Sequence, residues 1–414
     1  MDSTLALPSR STAARFAPHA LLAFIALLSI GGSVLVAVLA KLPDGAHDYN
    51  AAGFVVRHAW VKFGLLATEP FRGGLSREQE DERVARYFEL NAAIRDKERT
   101  AGDPATPADQ AQVASDEAAA MRDERAGIEN SVELILEGRL TRVIKEAGLT
   151  RRFGGDVVWP PVNIEFEEPP SVLVTSPRSE IRKENERLLE SDIPIDRLQD
   201  IERDAERDGN TSALVVDIGG IAMYPAIIPP SSNYRFVLDD IAHEWMHHYL
   251  YFAPLGRRYY DNGELTTLNE TVANMVGEEL GARLLAEYPL RGQRAPAPPP
   301  QPAPAAPAPF DFTTEMRNLR REVEALLAQG KVDEAERLME EQREYLAANG
   351  YYIRKLNQAY FAFHGSYADT AGSIDPIGPK LQDLRANSDS LEQFVEAARS
   401  FTSEKDLDQA LQSR

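Results

Sequence analysis

The segment His243-Glu244-Trp245-Met246-His247-His248 places two histidines four residues apart with a glutamate beside the first. That spacing has a clear use in one conformation. On an α-helix, residues i and i+4 share a face, so His243 and His247 can present both imidazoles to a single metal ion. Glu244 then stands one step around the helix, beside the open coordination position where a base for a bound water is needed. The chain has seven histidines, and three of them fall within these six residues. The pattern predicts a helix from about Tyr234 to Phe252, ended by Pro254 and Gly256. Leu238, Ile241, Trp245 and Tyr249 recur at helical spacing and are expected to face the core, which turns the two motif histidines toward a cleft.

H-E-x-x-H supplies two ligands, and a catalytic zinc needs a third from the protein. The chain has no cysteine, so the ion must be held by imidazole and carboxylate. An extension of the motif to a third histidine requires glycine at 250 and histidine at 253, where this chain has Leu250 and Ala253. The downstream carboxylates are Asp261, Glu264, Glu270, Glu278 and Glu279. Glu270, in Thr-Leu-Asn-Glu-Thr-Val-Ala-Asn (267–274), is the expected ligand, because this stretch reads as the start of a second helix and rigid elements hold metal geometry better than loops. Asn274, one turn on, is expected to hydrogen-bond the second nitrogen of a ligand histidine. The competing reading makes Thr267-x-x-Glu270 a capping box that only closes a helix end. Asp240 shares a face with His243, either behind the ligands or as a solvated charge. His248 lies about 100° from His247 around the helix, which suits a supporting or surface position rather than ligation. His19, His47 and His58 are read as lying outside the domain.

A formal net charge of −20 over 414 residues excludes the basic surface that nucleic acid requires. Ala20–Ala40 carries no charge and is long enough, as a helix, to cross a bilayer. Arg10 and Arg15 precede it, while Lys41 is soon followed by Asp44 and Asp48, which favours a cytoplasmic N-terminus and an extracytoplasmic remainder. The alternative is a signal peptide cleaved near Ala40. The expected organisation is a tail (1–19), a membrane anchor (20–40), a juxtamembrane segment (41–75), a helical region (76–150), a metal-binding core (151–290), a Pro/Ala-rich linker (291–312) and a helical C-terminal region (313–414). The juxtamembrane segment is either an interfacial amphipathic stretch or a buried helix. Ser76 and Gln79 suit a capping box at the head of a helical hairpin broken at 103–107. Strands are expected at 157–159, 162–166, 172–174 and 213–218, and charged helices at 178–191 and 195–208. Residues 221–228 read as a further strand at a sheet edge, since Pro225 has no N–H to donate. Such an edge can take an extended peptide.

The arrangement His243-Glu244-x-x-His247 followed by Asn269-Glu270-x-x-x-Asn274 resembles the gluzincin metallopeptidases, in which a glutamate on a following helix is the third zinc ligand. That family commonly shows N-E-x-x-x-D, and Asn274 stands here at the aspartate position. More loosely, the motif, Asn-Glu, a helical spacer and Leu-Asn-Gln-Ala…Tyr (356–367) are similar to a group of bacterial zinc aminopeptidases. The specific likeness covers about residues 210–281 and, weakly, 351–401. It implies an α+β, zincin-like catalytic domain, with a small mixed sheet, the motif helix and a glutamate-bearing helix, flanked by helical additions. It also implies one catalytic zinc, Glu244 as general base and a peptide or protein substrate. Tyr367 and His364 are the implied donors to the oxyanion, each with an ordinary packing role as the alternative. The strand at 219–228 has no acidic residue to hold a substrate's free amine, so internal and terminal cleavage both stay open. A rival reading is a membrane-anchored scaffold whose metal domain is inactive or structural.

Overall fold

The computed structural model describes residues 47–58, 74–152, 155–290, 310–368 and 370–413. The expected anchor at 20–40 and the Pro/Ala stretch at 294–309 lie outside the described residues. Among those described, no helix is long and apolar enough to cross a membrane.

Ser76 opens helix α1 (Arg77–Gly102) by a reciprocal cap: its hydroxyl accepts from the Gln79 N–H, and the Gln79 side chain accepts from the Ser76 N–H. After the break at 103–107, α2 (Ala108–Glu146) runs back antiparallel to it. Exposed ion pairs such as Arg86–Glu124 and Arg122–Glu98 lace the hairpin and add little stability each. The opposite face buries Tyr87, Phe88, Leu136 and Leu140 in the same core as the helix bearing the histidine motif.

The sheets are small. Strands β1 (Arg151–Arg152) and β2 (Asp156–Val157) form one antiparallel pair. Strand β3 (Ile164–Phe166) pairs in parallel with β7 (Ala226–Ile228). In the third sheet, β4 (Ser171–Pro177) lies between β5 (Asn185–Leu189) and β6 (Thr211–Asp217), antiparallel to both. Two expectations are corrected here. Residues 178–191 are not a helix: 185–189 pair with β4 in the register Ser171↔Leu189, and burying Leu189 against the core overrides the helical leaning of Glu and Arg. Residues 221–228 are not one strand at a free edge. The chain reverses at Tyr224-Pro225, Ile221 bridges Ile227, and only 226–228 join a sheet.

Free strand edges are closed by helical glutamates. Glu137 and Glu133 of α2 accept from the Ile164 and Phe166 N–H groups at 2.9 and 2.8 Å. Glu206 and Glu202, at the end of α3 (Ile195–Ala205), likewise accept from Ala213 and Val215 at 2.9 and 2.8 Å. The match is geometric: four helical residues rise about 6 Å, and two strand residues advance about 6.6 Å. Asn357 and Arg354 cover the Ala213 and Val215 carbonyls, so this part of the β6 edge is occupied by the protein's own side chains.

Helix α4 (Tyr234–Tyr251) carries the motif, a short α5 (Pro254–Arg257) follows, and α6 (Gly263–Glu287) packs against α4. Leu238, Ile241, Trp245 and Tyr249 are buried as their spacing required. The two helices approach closely at Gly277, where a Cβ would lie 2.9 Å from the Asp239 carbonyl and 3.1 Å from the His243 backbone nitrogen. Since that neighbour is backbone, a side chain there must push the helices apart. Gly277→Val is expected to destabilise the fold by about 1–3 kcal/mol, read as a lower urea midpoint, and to weaken metal binding by displacing α6.

Helices α7 (Phe312–Ala328) and α8 (Val332–Ala348) form a hairpin with its own core of Met316, Leu319, Val323, Met339 and Leu346. Helix α9 (Gln358–His364) is short, because Asn357 caps it and Arg354 is engaged with β6. Helices α10 (Ile377–Ala386), α11 (Leu391–Ala398) and α12 (Glu404–Gln412) return to the main core through Leu381, Phe394 and Leu407. The described part of the juxtamembrane segment is a buried helix: at 51–58, Ala51, Phe54 and Val55 pack on Met223 and Ile227. His58 is therefore not outside the folded unit. It bridges Glu165 and Glu167 at 3.1 Å each; burial opposes its charge, yet the two glutamates hold its pKa up at about 9.

Candidate metal centre

Helix α4 brings the two motif imidazoles together, with His243 Nε2 and His247 Nε2 3.0 Å apart. From α6, Glu270 points its Oε2 at both, 3.6 Å from His243 Nε2 and 3.5 Å from His247 Nε2. A tetrahedral zinc with bonds near 2.0–2.1 Å requires its ligand atoms to be about 3.3–3.4 Å apart, so these three atoms form a triangle of the right size. Glu270 Oε2 is buried and has no hydrogen-bond partner. Burying a carboxylate oxygen in this way is costly unless a cation neutralises it. The donor set of two imidazoles and one carboxylate, to which no other residue among those described except Glu244 adds a ligand atom, fits zinc at an open site.

Glu270 lies well inside its helix. The N-cap of α6 is Asn262, whose side chain accepts from the Leu265 N–H, so the capping-box role for Thr267 and Glu270 is excluded. Three of the other downstream carboxylates are spent elsewhere: Asp261 on Arg258, Glu264 on the Glu404 N–H, and Glu279 on Arg385 and Arg283.

Each imidazole is oriented from behind. The Asn269 amide nitrogen donates to the Leu255 carbonyl, which leaves its oxygen 2.8 Å from His247 Nδ1. Nδ1 then carries the proton, and Nε2 offers its lone pair to the centre of the triangle. His243 is hydrogen-bonded by the side chain of Asn274. Tyr259, from the loop after α5, donates its hydroxyl to Glu270 Oε1.

Charges in the metal-free site are coupled. Burial disfavours ionisation of Glu270, but the neighbouring His247 holds its pKa down at about 2. Burial also works against a charge on His247, but Glu270 raises its pKa to about 9. His243 is depressed to about 4 by burial and by His247. Within the triangle, Glu270 thus favours a positive charge on His247, where a cation would sit.

Glu244 is buried, and its ligand atom lies within 4.8 Å of those of His243 and His247. Its carboxylate turns toward a glycine pair, however. A Cβ at Gly220 would stand 2.8 Å from Glu244 Oε1 and 3.0 and 3.1 Å from the Asp240 oxygens. Burial raises the Glu244 pKa well above the usual range, and it pushes Asp240 up to about 7 with help from the charge of Asp239. His248 is buried rather than at the surface. Its Nε2 lies 2.6 Å from the Met223 carbonyl oxygen, which fixes the loop that follows Gly219-Gly220.

Tyr367 reaches the same place from the loop after α9. Its hydroxyl is hydrogen-bonded toward Glu270, and the charge of Glu270, then burial, raises its pKa well above 10. A bond from the Ala368 N–H to Thr271 Oγ1 at 3.1 Å ties this loop to α6. His364 is not brought in: it packs against Tyr360 with ring centroids 4.2 Å apart, and no contact among the described residues joins it to the triangle. Packing explains it. In the sequence Asn269 stood out only as part of the Asn-Glu motif, with no role of its own, and Tyr259 did not stand out at all. The first adjoins the chosen ligand, and the second falls between the two ligand-bearing helices; both positions were open to inspection. A separate concavity of about 580 Å³ near Arg178, Glu336, Arg354 and Lys355 is lined by basic side chains already held in ion pairs with Glu336, Glu202 and Glu206.

No protein family, curated protein or solved structure matched this chain in comparison.

Proposed function

We propose that this chain is a zinc-dependent peptidase of gluzincin type, held at a membrane by its N-terminal apolar run with the catalytic domain on the extracytoplasmic side. One observation carries the reading. His243, His247 and the buried Glu270 oxygen, which accepts no hydrogen bond, make a zinc-sized triangle, with the carboxyl group of Glu244 beside it. A structural zinc site is closed by four ligands and needs no base; this one has three and a base.

His243, His247 and Glu270 would hold the ion, which when bound lowers the pKa of water and polarises a carbonyl. Glu244 takes the proton from the attacking water and delivers it to the departing nitrogen. The Tyr367 hydroxyl donates to the developing oxyanion. Asn269 and Asn274 keep the imidazoles in register, and Tyr259 keeps Glu270 turned inward.

Zinc-loaded full-length protein in detergent, incubated with a diverse peptide library, is expected to generate new termini seen by mass spectrometry. Chelation should abolish them and added zinc restore them. Stoichiometric zinc without any cleavage would contradict the reading. Tyr367→Phe should lower kcat about 10²- to 10³-fold with little change in KM, as expected for a donor used only in the transition state. An equal rise in KM would instead assign Tyr367 to substrate binding.

A further inference from the structure

We propose that Asp240 selects a cationic side chain on the residue whose nitrogen leaves, so that preferred substrates carry lysine or arginine directly after the cleaved bond. The inference rests on the peptidase reading. Glu244 must stand on the leaving-group side of the reacting carbon, because it hands its proton to the departing nitrogen. Asp240 is one turn earlier on the same helical face. The two carboxylates meet over a single backbone position, with the would-be Cβ of Gly220 at 2.8 Å from Glu244 Oε1 and 3.0 Å from Asp240 Oδ2. Asp240 therefore shares with Glu244 the side of the helix that, in the peptidase reading, the leaving residue faces.

Among the described residues, no cation pairs with Asp240. Its Oδ2 is buried with no hydrogen-bond partner, and the ionisable groups beside it, Asp239 and Glu244, are both acids. Arg235, on the same helix, is committed to Asp239 at 2.7 Å. Gly220 packs its backbone directly against both carboxylates, an approach that a residue with a Cβ could not make without displacing them. A carboxylate in this position gains most from a ligand that brings a positive charge and hydrogen-bond donors, which a lysine ammonium or arginine guanidinium supplies. Neutral or acidic leaving residues leave it unpaired.

The test uses full-length, zinc-loaded protein and N-terminally acetylated, internally quenched peptides that differ only after the cleaved bond, as Lys, Leu or Glu. Cleavage positions are verified by mass spectrometry. Wild type should favour Lys over Leu by about tenfold or more in kcat/KM, with Glu the poorest. In Asp240→Asn the Lys/Leu ratio should collapse toward one, whatever the absolute rates, and Asp240→Lys should favour Glu. Wild type that ignores this charge overturns the proposal without recourse to any variant. So does an Asp240→Asn protein that loses rate equally on all peptides, the mark of a carboxylate that only supports the glycine loop. Discrimination that appears only with a free N-terminus would assign the cation to the substrate's own ammonium and overturn it as well. Failure to cleave any peptide would instead defeat the peptidase reading itself, and is distinct from cleavage without discrimination.

Discussion

Glu244→Gln is expected to remove hydrolysis while leaving the metal in place, with kcat reduced about 10²- to 10⁴-fold and about one zinc per chain retained. Glutamine keeps the size and shape of the side chain but cannot take the proton of the attacking water or return it to the leaving nitrogen. The fold should tolerate the change. Glu244 is buried beside Asp240, and replacing one of two adjacent acids with an amide relieves repulsion at this crowded site. Steady-state kinetics with metal analysis on the same preparation checks the prediction. A variant that loses zinc and activity together would make Glu244 a ligand, the role permitted by its place in the His243–Glu244–His247 cluster but opposed by its turn toward Gly220.

Glu270→Gln should have the opposite signature, loss of the metal. Removing only the support of a ligand costs about 10- to 100-fold in affinity, so loss of the ligand itself should cost more. The wild-type site adds a pH dependence whose sign follows from its own proton. His247 is raised to about 9 in the metal-free chain, and zinc needs its neutral form, so at neutral pH the ion must displace that proton. Zinc affinity should then fall about tenfold for each unit of pH lowered below about 9, and more steeply near 4, where His243 takes a second proton. Calorimetry at pH 7 in buffers of different protonation enthalpy should count at least one proton released per zinc. No release would show that the His247–Glu270 coupling has been misassigned.

What could be read from the sequence was what local periodicity encodes. The motif helix, its buried face of Leu238, Ile241, Trp245 and Tyr249, the Ser76 cap and the long hairpin are properties of neighbouring residues. Strand pairing was read poorly, because it depends on partners distant in the chain. Nothing within 185–189 announces that β4 will pair with it, and the reversal at 224–225 is fixed by the pairing of β7 with β3. The placement of Glu270 beside the imidazoles depends on the close α4–α6 approach at Gly277, whose spacing gave no warning of its purpose. Tyr259 and Tyr367 reach Glu270 from loops whose course is set by tertiary contacts, such as the Ala368–Thr271 bond. His364, chosen for its chemistry alone, turned out to be packed against Tyr360.

The central claim is that His243, His247 and Glu270 hold one zinc. Anomalous diffraction at the zinc edge from the zinc-loaded full-length protein tests it most directly. The account predicts one strong peak about 2.0–2.2 Å from His243 Nε2, His247 Nε2 and Glu270 Oε2, with a non-protein ligand completing the tetrahedron. A peak ligated by Glu244 in place of Glu270, or zinc bound only elsewhere in the chain, would contradict it.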